Sequence, residues 1–283
     1  MAVVQALRDI RSWLFVPALQ SRYIARALES EADAFIVDLE DSIPPGQKAE
    51  ARAALAEMVA ALRGSGRPVF VRVNLGVEAD LVACAVARPD GVVLPKVEVV
   101  AQVMAAESAL DAAGGRVGLG FMLAVESGAG VLNAATLFQA STGVSCVMFG
   151  AGDFVADTGF AMDADALTTP AAMIAMAAAA AGVPAFGVPG SIGEMNDLEA
   201  LGQCARRAKA LGYAGTPVIH PKQLDVVNTS FQPDPEDIAE ARLIVATYEA
   251  SSGGASAVGG RFVERPLYLR SQAILRRSGT AQY

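Results

Sequence analysis

Short apolar segments recur along the chain, and most of them end in a charged or polar residue. Near-continuous apolar runs of this length are typical of parallel strands that are buried on both faces. The pattern therefore predicts a parallel sheet whose strands carry polar residues at their carboxyl ends. The predicted strands lie near residues 13–18, 34–40, 69–74, 91–96, 118–126, 144–150, 184–188 and 217–221.

Between these strands the chain is rich in Ala, Leu, Glu, Arg and Gln, which favour helices. Strands that alternate with helices indicate right-handed βαβ units. About eight such units favour a closed α/β fold, the (β/α)8 TIM barrel, over an open doubly wound sheet. No GxGxxG motif follows the first strand, so a dinucleotide-binding fold lacks its main signature. The predicted helices lie near residues 21–31, 47–63, 79–87, 98–113, 130–140, 168–181 and 196–211, and a further helix near 222–228 follows the last strand.

The region after residue 228 has a different pattern. A Pro-rich loop precedes a predicted helix near 236–250, and a Gly/Ser/Ala-rich patch separates that helix from another near 266–277. We predict a catalytic barrel over residues 1–228 and a C-terminal helical arm over residues 229–283. Because so short an arm cannot easily bury a core of its own, we expect it to pack at a subunit interface or on the barrel.

The composition argues against several classes of protein. A formal charge of −8 disfavours a partner with a phosphate backbone, so no nucleic acid is expected. Cys84, Cys146 and Cys204 lie far apart, which suits a reducing compartment and predicts a cytoplasmic location. A catalytic cysteine is disfavoured because a single histidine, His220, is present to activate one.

Two segments resemble membrane or targeting signals only in part. The amino terminus has no long apolar core of the kind that secretory signals need. Residues 170–190 are uncharged and long enough to cross a membrane, but they are rich in Ala and are interrupted by Gly182 and Pro184. A barrel helix followed by a strand explains them better, so no membrane partner is expected.

Glu126 and Asp153 are the candidate metal ligands. Each is predicted to end a strand, and the two strands are consecutive, which brings the carboxylates together at the face where barrel enzymes hold their active sites. Two carboxylates with positions open to water and a substrate oxygen suit Mg²⁺. Gly152 would let a ligand approach the backbone, so it joins both acids among the substrate-binding candidates. The alternative is that the carboxylates cap the helices that follow.

Arg72 lies among apolar residues in VFVRVN, which argues against an idle surface charge. Its planar guanidinium could hold a substrate carboxylate with two hydrogen bonds or stabilise an oxyanion. The alternative is an internal salt bridge to Asp38 or Glu40, and both roles can hold at once. If the DLED run is extended, Asp38 and Glu40 lie on one side of the chain and Asp41 on the other.

Lys96 and His220 each have two interpretations. Lys96 could form a Schiff base, as lysines of some barrel aldolases do, but a charge pair with the acids at this mouth is favoured. His220 could act as a general base, but an orienting hydrogen bond ahead of the following helix is favoured.

A set of segments, in order and spread over nearly the whole chain, is recognisable as a whole. They read RSWLFVPA, DAFIVDLEDSIPPGQKAEAR, VRVN, GVVLPKVE, ESGAGVLNA, FGAGDFVADTG, ALGYAGTPVIHPKQLDVVN and FQPDPEDIAEARLIV. Together they resemble the citrate lyase beta-subunit family of the HpcH/HpaI aldolase group.

The resemblance implies a Mg²⁺-dependent (β/α)8 barrel that cleaves or forms C–C bonds of citryl, malyl or citramalyl thioesters. By this resemblance Glu126 and Asp153 would bind the metal and Arg72 would grip the substrate carboxylate. Glu40 and Asp41 would form an acidic rim that orders metal-bound water and the arginine. The implied partners are a 2-oxo acid, an acyl-CoA thioester and further copies of the chain, in a trimer or hexamer.

The chain also departs from the family's pattern. In CoA-dependent relatives an aspartate of the C-terminal segment handles a proton, commonly from the adjacent subunit. Here the segment reads GGRFVERP, and Glu264 stands at that position as the candidate catalytic acid. Gly259, Ser127, Gly152 and Gly187 replace larger or acidic residues of relatives, so the substrate is expected to differ from the well-known ones.

The predicted reaction is the Mg²⁺-assisted cleavage of a short 3-hydroxy-acyl thioester, such as a citramalyl-, malyl- or citryl-CoA. Its products would be a 2-oxo acid or glyoxylate and acetyl-CoA. Two alternatives stay open at this point. One is an aldolase that acts on free 2-oxo acids without CoA, and the other is a non-catalytic paralogue that binds a 2-oxo acid or CoA in a complex.

Overall fold

The computed structural model describes residues 2–19, 21–115, 120–251, 256–259 and 261–278. It divides the chain into two compact units, Met1–Phe231 and Gln232–Tyr283. The first unit holds the parallel sheet, and the second holds two helices and a short hairpin.

In the described residues, parallel strands of the first unit form one eight-stranded sheet in the order β7-β6-β5-β4-β3-β2-β1-β8. The sheet closes because Phe186 of β7 bridges Gly215, and the Gly187 N–H donates to the Gly215 carbonyl at 2.9 Å. The predicted TIM barrel is confirmed. The strands are β1 Ser12–Pro17, β2 Ala34–Asp38, β3 Val69–Arg72, β4 Gly91–Leu94, β5 Phe121–Val125, β6 Val144–Phe149, β7 Ala185–Phe186 and β8 Thr216–Val218.

Alternate residues of each strand pack into two different layers of the core. In β2, Ile36 belongs to the cluster inside the barrel, whereas Phe35 belongs to the larger cluster between strands and helices. Trp13 is the centre of the inner cluster, with its ring 4.8 Å from that of Phe70 and 5.5 Å from that of Phe186, both edge-on. The interior of the barrel is therefore filled by packed side chains.

Helices surround the barrel. Two of them, α1 and α7, were not predicted: α1 has six residues, and α7 begins with small residues that give no apolar period. Two short 3₁₀ helices also occur, at Pro45–Gln47 and Pro221–Gln223. The α-helices of the first unit are α1 Ala2–Leu7, α2 Ser21–Leu28, α3 Lys48–Arg63, α4 Glu78–Ala87, α5 Val100–Ala112, α6 Gly128–Leu137, α7 Ala151–Thr158, α8 Ala164–Ala181, α9 Leu198–Leu211 and α10 Leu224–Phe231.

Helix α8 is the one described helix whose length and apolar composition would allow it to cross a membrane. It begins at the cap Asp163, whose carboxylate accepts two backbone N–H groups, and it ends at Gly182. Leu167, Ala171 and Ile174 are fully buried on the barrel. A helix that packs on a barrel can be as long and as apolar as a membrane-spanning one. The sequence predicted a barrel helix at this place, followed by a strand, and the structure has both.

The second unit consists of α11 Pro235–Ala250, β9 Ser256–Val258, β10 Arg261–Val263 and α12 Arg265–Arg277. Strands β9 and β10 pair antiparallel, a hairpin that the Gly/Ser/Ala-rich composition did not predict. Gly259 follows β9 with a positive φ of 56°, a conformation that glycine adopts readily in tight turns. The rings of Tyr248 and Tyr268 stack at 4.4 Å and join the two helices.

Candidate active site

Arg72, the last residue of β3, contacts three carboxylates at once. Its Nε and Nη2 donate to Asp38 at 2.7 and 2.8 Å, and its Nη1 lies 2.9 Å from Glu40 Oε2 and 3.4 Å from Asp41 Oδ2. The guanidinium also covers the ring of Phe15, 4.7 Å from its centroid. The internal salt bridge is thus present. Two nitrogens of Arg72 bind Asp38, and the third, Nη1, faces Glu40 and Asp41 of the acidic rim.

Asp38 sets the direction of the chain where β2 ends. Its carboxylate accepts the backbone N–H groups of Glu40 at 2.9 Å and Ser42 at 3.0 Å, as in an Asx turn. Burial acts to raise the pKa of Asp38, but the hydrogen bond and the charge of Arg72 outweigh it and lower the pKa. Asp38 is therefore the ionised anchor of the rim.

The prediction that Asp41 lies on the opposite side of the chain from Glu40 is wrong. An extended chain would have turned it away from Glu40, but the strand stops at Asp38 and the turn brings both carboxylates to the same Arg72 nitrogen. The reason is local: the turn around the Asp38 carboxylate replaces the period of two that a strand imposes.

Lys96 closes the rim from β4. Its Nζ donates to Glu40 Oε1 at 2.8 Å and lies 3.6 Å from Asp41 Oδ1. Burial acts to lower the pKa of Lys96, but its hydrogen bond to Glu40 and the nearby acids raise it. A Schiff-base lysine must be a neutral amine, so the charge pair is the role that this geometry supports. Burial raises the pKa of Glu40, although Arg72 and Lys96 both oppose that shift.

The backbone of Lys96 also positions Glu126. Lys96 has a positive φ of 52°, which is uncommon for a residue with a side chain. In this conformation its N–H donates to Glu126 Oε2 at 2.9 Å. Strained backbone of this kind is found where the surrounding structure fixes a functional group.

Glu126 follows β5 and is 4% exposed. A Cβ at Gly150 would lie 2.5 Å from Glu126 Oε1, so only glycine leaves room for this carboxylate. Burial, followed by the negative charges of Asp153 and Glu40, raises the pKa of Glu126 to about 7. Burial and the nearby acids thus outweigh the stabilisation that Arg72 gives to the ionised form of Glu126.

Asp153 lies in the first turn of α7, four residues after the end of β6 at Phe149. The prediction that it ends a strand is wrong, because the helix begins at once after Gly150. A carboxylate in the first turn of a helix is favoured by the helix dipole. The caps of α6 and α7 are Ser127 and Gly150, so the capping role considered for both acids falls to other residues.

Glu126 and Asp153 line one cavity of about 310 Å³ at the carboxyl end of the strands, together with Arg72 and Gly152. Carboxylate oxygens are ligands that a hard divalent cation such as Mg²⁺ prefers. Among the described residues, no group of three or more His, Cys, Asp or Glu side chains is placed to hold a metal. A cation here would take two protein ligands and complete its shell with water and substrate.

A buried network beneath the rim was missed from the sequence. Asp80 of α4 is fully buried and accepts the Asn74 N–H at 2.8 Å, Asn74 Nδ2 at 2.6 Å and Arg52 Nη1 at 2.9 Å. Lys48 Nζ donates to Asn74 Oδ1 at 2.9 Å and to the carbonyls of residues 39 and 40 at 2.7 and 2.6 Å. The network thus holds the backbone that carries Glu40. An acid within an apolar stretch of α4, as in EADLVAC, was the available signal.

Asp80→Ala is expected to destabilise the protein by about 3–5 kcal/mol, because it leaves a buried donor set without its acceptor. Urea unfolding measures the change. The matched control is Asp165→Ala, which removes an ion pair with Arg207 whose aspartate is 90% exposed; we expect a loss within about 1 kcal/mol. Equal losses in the two variants would contradict the structural role of Asp80.

Other candidates have structural roles. His220 Nδ1 accepts the Lys222 N–H at 3.1 Å, and the Gln223 side chain accepts the His220 N–H at 3.1 Å, so His220 orients the chain as a cap. Burial raises the pKa of the Cys84 and Cys146 thiols, which disfavours thiolate chemistry.

Glu264 lies in the second unit, as the exposed cap residue of α12. Ser127 Oγ donates to Glu98 Oε1 at 2.6 Å and accepts the Gly130 N–H at 3.1 Å. These contacts tie Ser127 to the framework beside Glu126, which is buried next to it.

A second hollow, of about 510 Å³, adjoins the mouth between β1, α2 and the end of β8. It shares Phe15 and Ile219 with the cavity of Glu126 and Asp153. Tyr23 and Arg26 of α2 also line it. The two cavities are therefore neighbours.

Several known proteins are similar to this chain in sequence and fold. The family model of HpcH/HpaI aldolase/citrate lyase matches residues 11–221. An L-malyl-CoA/beta-methylmalyl-CoA lyase of Cereibacter sphaeroides is 30% identical over 96% of this chain and 95% of that protein. A citrate lyase subunit beta-like protein of Deinococcus radiodurans is 32% identical over 94% of this chain and 96% of that protein. CitE of Mycobacterium tuberculosis, in a crystal structure with magnesium, acetoacetate and coenzyme A, is 32% identical with a TM-score of 0.78 over 96% of this chain and 99% of that one.

Proposed function

Because the chain belongs to the HpcH/HpaI aldolase/citrate lyase family, we propose that it is a Mg²⁺-dependent carbon–carbon lyase. It cleaves a short 3-hydroxy-acyl-CoA into a 2-oxo acid or glyoxylate and acetyl-CoA. The observation that carries the proposal is that Glu126 and Asp153 line one cavity at the carboxyl end of the strands, where two carboxylates suit Mg²⁺. The lyase names of relatives and the ligands of CitE agree with it.

Glu126 and Asp153 would hold the Mg²⁺, which supplies a Lewis acid for the oxygens of a 2-oxo or 2-hydroxy acid. Arg72 places a fixed positive charge beside the same cavity, where negative charge develops on the substrate oxygen. In the cleavage the hydroxyl loses its proton, the C–C bond breaks, and the thioester enolate carbon gains a proton, so the reaction is redox-neutral. Glu264, by its place in the family's pattern, would donate the proton that the enolate carbon gains.

The hollow beside α2 is where the thioester arm would lie. It shares Phe15 and Ile219 with the cavity of Glu126 and Asp153, and its lining includes Arg26, a residue type that binds phosphates. The proposed partners are thus a 2-oxo acid and an acyl-CoA thioester. A trimer or hexamer and a cytoplasmic location stay predictions from the sequence.

An assay of three substrates with purified protein tests the proposal. Citramalyl- or malyl-CoA should yield acetyl-CoA with Mg²⁺ and should yield none after treatment with EDTA. Turnover of free 4-hydroxy-2-oxo acids alone would favour the CoA-independent aldolase. Tight binding of a 2-oxo acid without any turnover would favour the non-catalytic paralogue.

Arg72→Lys is expected to lose most of the activity although the charge is kept. Lysine cannot reproduce both bonds to Asp38 that fix the positive charge beside the cavity. A charge misplaced by about 1 Å costs around 10²-fold in rate, so we expect a loss of roughly 2–4 kcal/mol in kcat/KM. Steady-state kinetics measures it, and a thermal melt shows whether the fold is kept. A folded lysine variant within about threefold of the wild type would refute the need for the guanidinium.

Mg²⁺ affinity is expected to depend on pH. The pKa of Glu126 is about 7 without metal, and the cation needs the ionised form, so protons compete with it. Affinity should fall by about tenfold per pH unit below 7 and level off above it, because a single proton must leave. Calorimetric titration at several pH values measures this. A constant affinity from about pH 6 to pH 8 would contradict the assignment.

A further inference from the structure

The cavity of Glu126 and Asp153 has few charged residues in its lining. Arg72, Glu126 and Asp153 are the charged residues among the described residues that line it. The rest of the lining is apolar or glycine, with one serine and one threonine. The apolar side chains include Phe15, Met148, Met162, Val188, Ile192 and Ile219. A bound acid would thus place its carboxylate near Arg72 and the cation that Glu126 and Asp153 would hold, and the rest of its chain against apolar side chains.

The cations at this mouth are already engaged. Arg72 contacts Asp38, Glu40 and Asp41, and Lys96 contacts Glu40 and Asp41. A substrate with a second carboxylate would place that charge against apolar side chains and near two acids. Burial of an unpaired charge is costly, so the cavity disfavours a dicarboxylic product such as oxaloacetate.

Two glycines of the cavity wall differ in the space around them. Gly187 has a positive φ of 123°, and a Cβ there would lie 2.7 Å from the Phe149 carbonyl oxygen, so this backbone admits no side chain. A Cβ at Gly152 would meet nothing within 4 Å. Gly152 is exposed and lines the cavity, so position 152 could hold a side chain, and a large one would reduce the space open to a ligand. The volume of about 310 Å³ is within the range of pockets that enclose a whole small molecule.

We infer that the 2-oxo acid partner of this site is a monocarboxylic acid with an apolar group larger than methyl, and that Gly152 sets the size limit. This inference rests on the proposed lyase function. It selects, within that function, a 2-oxo acid with an ethyl, propyl or isobutyl group over pyruvate and over oxaloacetate.

Binding of 2-oxo acids to the full-length protein with Mg²⁺ tests the inference. Calorimetry is run with pyruvate, 2-oxobutanoate, 4-methyl-2-oxopentanoate and oxaloacetate, and condensation with acetyl-CoA is followed by mass spectrometry. Affinity should rise by about fourfold per added methylene, as expected for roughly 0.8 kcal/mol per buried group. Oxaloacetate binding as tightly as 2-oxobutanoate would overturn the inference and leave the lyase function standing. No binding and no condensation with any of these acids would overturn both.

Gly152→Leu tests the size limit, with Gly152→Ala as its matched control. The readout is the ratio of the affinity for 4-methyl-2-oxopentanoate to that for pyruvate, which cancels any general effect on the metal site. Leucine should lower this ratio by about tenfold or more because it fills the space, whereas alanine should leave it within about threefold. An unchanged ratio in Gly152→Leu would overturn the role of position 152.

Discussion

Glu126→Gln is expected to abolish Mg²⁺-dependent turnover, with a loss of at least about 10³-fold. The amide removes one of two carboxylates that would hold the cation, and a Lewis acid contributes several kcal/mol to reactions of this kind. The melting temperature should stay at or above that of the wild type, because the substitution removes a buried charge that lies near Asp153 and Glu40. Calorimetry with Mg²⁺ and a 2-oxo acid, together with a thermal melt, measures both effects.

Asp153→Asn should give the same loss of metal binding, since it removes the other carboxylate of the pair. Glu57→Gln is the matched control, because Glu57 is an exposed acid on α3 and its removal changes the net charge equally. Wild-type Mg²⁺ affinity in both Glu126→Gln and Asp153→Asn would exclude this pair as the metal site.

Glu264→Gln is expected to slow turnover by about 10²–10⁴-fold, the range for a lost general acid or base. Binding of the 2-oxo acid should be unchanged, because the metal ligands are intact. If the acid comes from a neighbouring subunit, a mixture of Glu264→Gln and Asp153→Ala subunits should regain part of the activity, as some sites then receive both intact halves. The experiment measures turnover after the two variants are unfolded and refolded together.

Glu236→Gln, which removes an exposed acid from the first turn of α11, is the control for the second unit. A monomer in light scattering would rule out the shared site. An undiminished rate in Glu264→Gln would show that this chain works without the acid that its family places there.

The strands and the closed barrel were predictable because burial on both faces leaves a clear apolar signal. The carboxyl ends of the strands were harder to predict, because apolar content does not show where the hydrogen bonds between strands end. β2 ends at Asp38 because that carboxylate captures the N–H groups of Glu40 and Ser42, and this turn reversed the predicted direction of Asp41. Helix α7, which carries Asp153, begins with Ala and Gly and so lacks an apolar period.

The residues of the rim were predictable one by one, but their pairing was not. Sequence spacing placed Arg72 near Asp38 and Glu40 without deciding whether its guanidinium faced a substrate or an internal acid. The choice depends on side-chain geometry across β2 and β3, where the register pairs Asp38 with Arg72. The support from Asp80 depends in the same way on a contact between α4 and the loop after β3, which no local pattern reveals.

A crystal structure of the protein with Mg²⁺ and a 2-oxo acid would show directly whether these two carboxylates hold the metal. We expect one cation bound to both Glu126 and Asp153, with the carboxylate and the 2-oxo oxygen of the acid and water filling the rest of its shell. The apolar group of the acid should point toward Gly152. A cation bound elsewhere, or an acid that binds away from these two carboxylates, would contradict this metal site.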